Sequence, residues 1–454
     1  MNKYKIEKLI FYPLGFSLIF IFFYNIINYD PMSGYDAEGH HSYIDYIAMY
    51  LPRELKLPTV ESSREFFSPP IPYLLPAFFQ VICRNVLDSA DLVKTCQPIY
   101  GIFAQIFQSL LYFLSLFFYM KLFKVIYERK TLFNLNVLLV ISILTVNYRT
   151  FLMIRGEPYI IFLNSYLLYR FFLLLKNSFK YKKSDLIVFG LIIGALTLSR
   201  QWALLLFPAY FIILFFINSN EDRKAFFNFL IGSFTIGFLA SSWFYFSLFF
   251  KYGTFTAFNM EPTPFSFLNQ PRSFYLPDIN SLTLMFSKPI RPNFANEFFP
   301  ILYSDLWGDY WGYFAFTRDA LLTGRNQALI GDYLARVNIV SIVPSILLII
   351  GFASSYKYLK NKTKKEKDYF FSYIFISILI SFTGYLWFLI KYPSGPSGDT
   401  NKAAYMIHAF HLLAILGINY LEKIKIKSYT KYIVTILLLV LTYIHNFSSM
   451  LSHY

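Results

Sequence analysis

The sequence predicts an all-α integral membrane protein of about eleven transmembrane helices, with juxtamembrane helices in its first extracytoplasmic loop. Three observations predict it. The 454 residues are 56% hydrophobic but only 15% charged, whereas a soluble domain carries about a quarter charged residues. Apolar runs long enough to cross a bilayer, near 20 residues each, recur along the whole chain. The charges between those runs alternate in sign balance from one loop to the next.

The runs fall at 9–28, 99–120, 133–153, 158–176, 186–199, 201–217, 226–250, 337–355, 369–390, 404–420 and 432–448. Basic residues precede the first run and no small-residue cleavage site follows it, so it reads as a signal anchor with a cytoplasmic N-terminus. The segment 71–87 is apolar but short, and contains Pro72, Pro76, Gln80 and Arg84. Counting it as a span would place Lys121, Lys124, Arg129 and Lys130 outside. Reading it as an interfacial or re-entrant helix places them inside, as the positive-inside rule prefers. On that topology the cytoplasmic segments hold 23 cations against 8 acids, and the outer segments, with Arg149 counted among them, hold 17 against 18. The net charge of +15 therefore reports orientation, and nucleic acid is not needed to explain it.

The apolar runs read as nearly free of charge, with Arg170 the exception. The chain reads as one polytopic domain, 1–454, without internal repeats. Its distinctive sequence lies in three extracytoplasmic stretches: 29–98, with an acidic motif; 251–336, expected as short helices and loops on the membrane; and 391–403, rich in Gly, Ser and Pro. The cytoplasmic loops are short and lysine-rich. Function tends to sit on loops held by a rigid scaffold, so the chemistry is expected outside. Cys83 and Cys96 are too few for a zinc site or a disulfide scaffold; two inert thiols are the expectation, with a bridge as the alternative.

The first outer loop reads Gly34-Tyr35-Asp36-Ala37-Glu38-Gly39-His40-His41-Ser42-Tyr43. Asp36 and Glu38 suit a proton acceptor or a set of sugar-hydroxyl ligands, and Asp36 equally suits the N-cap of a helix from about Ala37 to Leu51. The stiff Ser68-Pro69-Pro70-Ile71-Pro72 run forces a corner into the next helix. An Asp-x-Glu motif after the first span, followed by a proline-rich turn into a membrane helix, resembles the GT-C superfamily of glycosyltransferases. The branch it most resembles holds the protein O-mannosyltransferases and the lipid A aminoarabinose transferases.

That resemblance implies a GT-C-like fold and an outward-facing active site. It implies a sugar donor carried on a polyprenyl phosphate, with Asp36 as the catalytic acidic residue and Glu38 as its companion. The chain departs from its relatives in having neither a large C-terminal soluble domain nor a lectin-like insertion. Asp309-Tyr310-Trp311-Gly312-Tyr313 is only faintly similar to the Trp-Trp-Asp-Tyr-Gly motif of oligosaccharyltransferases, and no role is carried across.

The expected reaction is a single displacement. Asp36 takes the proton of an acceptor hydroxyl, and the polyprenyl phosphate leaves with inversion at the anomeric carbon. Its departing charge needs cations or amide donors. Arg155 with Glu157, Arg200, and Lys391 and Lys402 bracketing the loop that contains Asp399, all lie at outer ends of spans. They are substrate-binding candidates with His40 and His41, and with Trp307 and Asp309 in the densest aromatic cluster. Snorkelling toward headgroups is the alternative for each cation. No cofactor is required; a divalent metal on His40, His41, Asp36 and Glu38 is the alternative. The partners expected are the lipid-linked donor, membrane lipid and an acceptor of unassigned class, in a bacterial inner membrane. An O-antigen polymerase or ligase, or a lipid-linked-sugar flippase, are the rival readings.

Overall fold

A computed structural model describes residues 3–51, 53–87, 92–291, 293–294, 296–314, 327–361, 364–393, 395 and 398–453. Ser394, Pro396 and Ser397 of the Gly/Ser/Pro-rich loop lie outside the described residues. All of the regular structure among the described residues is helical. Among the described residues, seven helices are long and apolar enough to cross a membrane, and a bent pair makes an eighth if counted as one span.

The helices, in order, are α1 (Lys3–Asn28), α2 (Ala37–Tyr50), α3 (Ile71–Val86), α4 (Leu92–Ile126), α5 (Leu135–Ser142) and α6 (Val146–Leu152). Then come α7 (Glu157–Lys176), α8 (Lys183–Thr197), α9 (Pro208–Ile213) and α10 (Asn220–Tyr252). The outer stretch contributes α11 (Arg272–Tyr275), α12 (Ile279–Met285) and α13 (Phe298–Trp307). The chain closes with α14 (Gln327–Val340), α15 (Ile342–Lys360), α16 (Glu366–Lys391), α17 (Ile407–Lys427) and α18 (Tyr429–His445).

Every apolar run read from the sequence falls on helix, but not every run is a regular span. The run 201–217 is segmented: α9 is flanked by tight turns at Gln201–Leu206 and Leu214–Phe216. The run 133–153 is broken into α5 and α6, which meet at 75°. Hydropathy had read it as one straight span because it measures apolarity and not direction. The carbonyls freed at the break are taken up locally. Asn147 Nδ2 donates to the Ile141 carbonyl at 2.8 Å and Tyr148 Oη to the Ser142 carbonyl at 2.6 Å. A broken helix at membrane depth is tolerated only when such groups are satisfied inside the protein.

Close helix contacts rest on glycine, because helices in lipid gain from backbone approach more than from bulky apolar contact. Gly190 and Gly194 of α8 face Gly237 of α10; a Cβ on Gly194 would lie 2.8 Å from the Ala240 Cβ and 3.2 Å from the Gly237 carbonyl oxygen. Gly351 of α15 crosses Gly417 of α17, where a Cβ would lie 2.6 Å from the Gly417 amide nitrogen. Nearly all of α17 is buried, so it is the axis around which α7, α15 and α16 assemble.

Two expectations are corrected here. Cys83 and Cys96 form a disulfide joining α3 to α4, which the two-thiol expectation missed because spacing alone does not reveal facing helices. Arg149 stands inside the run 133–153 and is completely buried, so Arg170 is not the one charge within the apolar runs.

The Gly351 contact is testable. Gly351→Leu places a side chain against unyielding backbone, so overpacking of about 1–3 kcal/mol or more is expected. Size-exclusion chromatography in detergent, with a thermal melt, should show a clear loss of folded protein, whereas Gly15→Ala, where a Cβ would meet nothing nearer than 4.0 Å, should not.

Candidate functional site

The site is assembled by six chain segments that meet beside the start of α7. Asp36 comes from the turn before α2, His40 from the first turns of α2, and Glu65 and Ser68 from the loop before α3. Arg155 and Glu157 come from the corner between α6 and α7, Arg200 from the turn after α8, and Lys402 from the turn before α17. Gly156 makes the meeting possible: a Cβ there would collide with the Ser199 carbonyl oxygen. Only a bare α-carbon lets the α6–α7 corner touch the backbone that carries Arg200.

Asp36 adopts φ 55 and ψ 24 and makes no side-chain capping bond. Asp36 thus occupies the N-cap position expected of it, its carbonyl accepting from the His40 amide at 3.1 Å, but its carboxylate caps nothing. Its carboxylate is turned toward Lys402, with Oδ2 3.5 Å from Nζ. Left-handed backbone is unusual for a non-glycine residue, although aspartate is among those that tolerate it, and such strain concentrates at functional sites. The ammonium of Lys402 holds the Asp36 carboxyl well below the usual carboxylate range, aided by Arg155 and Arg200 and opposed by burial. Asp36 is therefore ionised.

Arg155 grips Glu157 with two bonds, Nε to Oε2 at 3.1 Å and Nη2 to Oε1 at 3.3 Å. Its third nitrogen, Nη1, is buried and has no hydrogen-bond partner among the described residues. Arg200 reaches the other side of the same carboxylate, Nε to Glu157 Oε1 at 3.4 Å. It also donates through Nη1 to Glu65 Oε2 at 3.0 Å and to Ser68 Oγ at 2.5 Å. Burial alone would raise the Glu65 carboxyl, but the Arg200 guanidinium and the Ser68 hydroxyl bond help to hold it low. Three cations thus face three carboxylates. A charge buried away from water costs several kcal/mol unless it is paired and hydrogen-bonded, which explains the balance.

Aromatic faces complete the enclosure. The Tyr405 ring lies 5.2 Å from the Arg155 guanidinium, 5.9 Å from that of Arg200 and 5.6 Å from Lys402 Nζ. Tyr35 underlies Lys402 at 4.6 Å. Each such contact adds about 0.5–2 kcal/mol, which helps to hold three like charges around one ring.

A second buried cluster fixes the backbone of this one. Arg149 on α6 pairs with Asp305 at 2.8 Å and Asp309 at 3.3 Å, and donates to the Gly308 carbonyl at 2.7 Å. Asp305 in turn accepts from Tyr35 Oη at 3.2 Å and from the Ala403 amide at 2.6 Å. Tyr385 Oη accepts from the Lys402 amide at 2.8 Å. The residues on either side of the Asp36–Lys402 pair are thus tied to one carboxylate.

A cavity of about 190 Å³ opens next to the cluster. Arg200 and Ser68 form its polar end, and Trp202, Phe258, Phe388 and Trp387 its apolar walls. Trp387 is half exposed on the outer surface of α16, so the cavity leads from the charges toward the lipid-facing side.

No family model matches the chain, and no curated protein matches it. Among solved structures, the archaeal oligosaccharyltransferase AglB from Archaeoglobus fulgidus, in complex with an inhibitory peptide and a dolichol-phosphate, aligns with a TM-score of 0.49 at 13% identity. The alignment covers 97% of this chain and 56% of that one, so the chain spans about half the length of AglB.

Among the residues expected at the site, Asp36, His40, Arg155, Glu157, Arg200 and Lys402 converge. Glu38 does not: it is exposed on the first turn of α2, because the residue two beyond Asp36 turns away on a helix. The carboxylates near Asp36 are Glu65 and Glu157 instead. His41 is committed to the scaffold, its Nδ1 bonded to Tyr100 Oη at 2.7 Å and its Nε2 donating to the Pro31 carbonyl at 3.1 Å. Lys391 rests over Trp387 at 5.6 Å, and Asp399 pairs with Arg291 at 2.9 Å. Trp307 is enclosed in the core and Asp309 is held by Arg149. Sequence reading missed Glu65 and Arg149. An arginine within an apolar run was the available signal for the second; nothing local marked the first. Among the described residues, no group of three or more His, Cys, Asp or Glu side chains is placed to hold a metal.

Burial pushes the imidazoles of His40 and His41 down to about 4. Both are neutral in the fold, while the unfolded chain takes up protons below about 6.5. Stability is therefore lost as pH falls from about 6.5 toward 4. Thermal melts across that range should show it, and His41→Gln, which cannot take up the proton, should flatten the slope.

Proposed function

We propose that this chain is a glycosyltransferase that moves a sugar from a polyprenyl-phosphate carrier to an acceptor hydroxyl, at the Asp36 cluster. The observation that carries this reading is the juxtaposition of an ionised aspartate with three buried cations, one of which, Arg200, also forms the polar end of an apolar cavity that runs toward the half-exposed Trp387. A lipid phosphate asks for that pairing: cationic donors for its head and an apolar wall for its chain.

In this reading the phosphate sits at the polar end of the cavity, against Arg200, the unpartnered Nη1 of Arg155, and Lys402. The acceptor oxygen attacks the anomeric carbon from the face opposite the phosphate. The bond from that carbon to the phosphate oxygen breaks, its electron pair stays on the polyprenyl phosphate, and the acceptor proton passes to Asp36. The product is inverted. While Lys402 pairs with Asp36, that carboxylate is a weak base. Donor phosphate competes for Lys402 and so frees Asp36 to accept a proton only when the donor is present. The cluster lies at the end of the bundle away from the lysine-rich loops. The positive-inside rule supports reading that end as extracytoplasmic, and a disulfide between α3 and α4 suits an oxidising compartment. Donor sugar and acceptor class are not assigned by any feature of the cluster.

The test is sugar transfer by the purified protein with a panel of polyprenyl-phosphate sugars, comparing wild type with Asp36→Asn. Turnover is expected to fall by about a hundredfold or more while donor binding, read by tryptophan fluorescence, survives. Turnover unchanged in the variant would remove Asp36 as base. Absence of turnover with every donor in folded protein would overturn the enzyme reading.

A further inference from the structure

At the opposite end of the bundle, the C-terminal ends of α4 and α7 and the start of α8 enclose a separate cavity of about 460 Å³. Arg170 lies 13 residues beyond Glu157 on α7, about 20 Å along the helix axis, so this cavity is remote from the Asp36 cluster. Lys121, Arg170 and Lys180 line it, with Asp185 the one acid among its lining residues, and Tyr166 and Tyr169 beside them. Phe118, Phe189 and Phe229 form its apolar part.

Arg170 is the informative residue. It stands inside an apolar helix, where an arginine is costly and faces a cavity or a partner. Its Nη1 meets Tyr166 Oη at 3.1 Å and its Nη2 meets Asp185 Oδ1 at 2.5 Å. Asp185 is itself shared, since its other oxygen accepts from the Lys182 amide at 2.9 Å at the start of α8. One carboxylate thus serves one guanidinium and one helix start, and leaves Lys121 and Lys180 unbalanced. Lys121 Nζ rests 5.9 Å from the rings of Phe118 and Tyr169, held on aromatic faces at the cavity wall and not by an acid. Arg170 and Lys121 are partly buried while Lys180 is exposed, so the cations run from the cavity wall out to its lysine-rich rim.

We propose that this cavity binds the phosphate headgroup of an anionic membrane phospholipid, with an acyl chain against the phenylalanines. Two excess positive charges, a planar guanidinium suited to phosphate oxygens and an apolar wall continuous with the membrane-facing helices fit that occupant. Basic pockets between helices on a cytoplasmic side are a recognised form of headgroup site. The proposal is independent of the reaction assigned to the Asp36 cluster.

The experiment titrates the full chain, purified in a neutral detergent, with phosphatidylglycerol, phosphatidylcholine or inorganic phosphate, and counts retained lipid by native mass spectrometry. Phosphatidylglycerol is expected to be retained in preference to phosphatidylcholine, and a matched concentration of inorganic phosphate should not displace it. The double variant Lys121→Gln/Lys180→Gln, at positions whose side chains form no ion pair among the described residues, should weaken retention about tenfold. Asp185→Asn removes the competing carboxylate and should strengthen it. Equal retention of both lipids, displacement by inorganic phosphate, or indifference to the lysine variant would each overturn the proposal.

Discussion

Arg149 lies in the core with no route to water, and its guanidinium holds Asp305 at 2.8 Å, Asp309 at 3.3 Å and the Gly308 carbonyl at 2.7 Å. Breaking such a pair by removing one partner leaves an uncompensated buried charge, at a cost of about 3–5 kcal/mol. That constraint explains several features together. The α5–α6 helix turns by 75° and so delivers Arg149 to the outer segment and not along a continuous span. Asp305 then holds both Tyr35, next to Asp36, and the amide that follows Lys402. The separation of Asp36 from Lys402 is thus set by residues that touch neither side chain.

The same logic of compensated burial shapes the charged cluster itself. Arg155, Arg200 and Lys402 would repel one another around Tyr405 if the carboxylates of Asp36, Glu65 and Glu157 were absent. The pairs are unequal, however. Glu157 is gripped by two arginines, whereas Asp36 stands 3.5 Å from a single lysine on strained backbone. The loosest ion pair in the cluster is the one that also remains partly exposed. A site that must exchange one ion for another is best served by such inequality, because the tight pairs keep their positions while the loose one responds.

Much of this was legible in the sequence, and the reasons for the rest are physical. Apolar runs of membrane length foretold helices, since lipid leaves a backbone few other ways to satisfy its polar groups. The sorting of lysines marked the two ends of the bundle, and charged residues at the ends of spans singled out Asp36, Arg155, Arg200 and Lys402. The break at residues 143–145 was hidden because hydropathy carries no directional information. Glu65 was hidden because its cationic partner, Arg200, comes from a turn 135 residues away in the chain. Lys391 and Trp307 shared the local signature of the site residues, yet packing sends one toward Trp387 and the other into the core. Position along a span is written locally; convergence between spans is not.

The α5–α6 break also bears on how the chain enters its membrane. Arg149 emerges about 160 residues before Asp309, and Asn147, at the break, waits for His411, 264 residues further on. A segment inserted in order of synthesis would therefore hold an arginine without its carboxylates, and an asparagine whose Oδ1 lacks its histidine, in hydrocarbon for most of translation. The nascent α5–α6 unit must be sheltered in a watery passage, or rest at the membrane surface, until the last third of the chain arrives. Biogenesis of this protein is thus bound to its C-terminal helices, and a truncation before α17 deprives the N-terminal helices of partners that only the later sequence supplies.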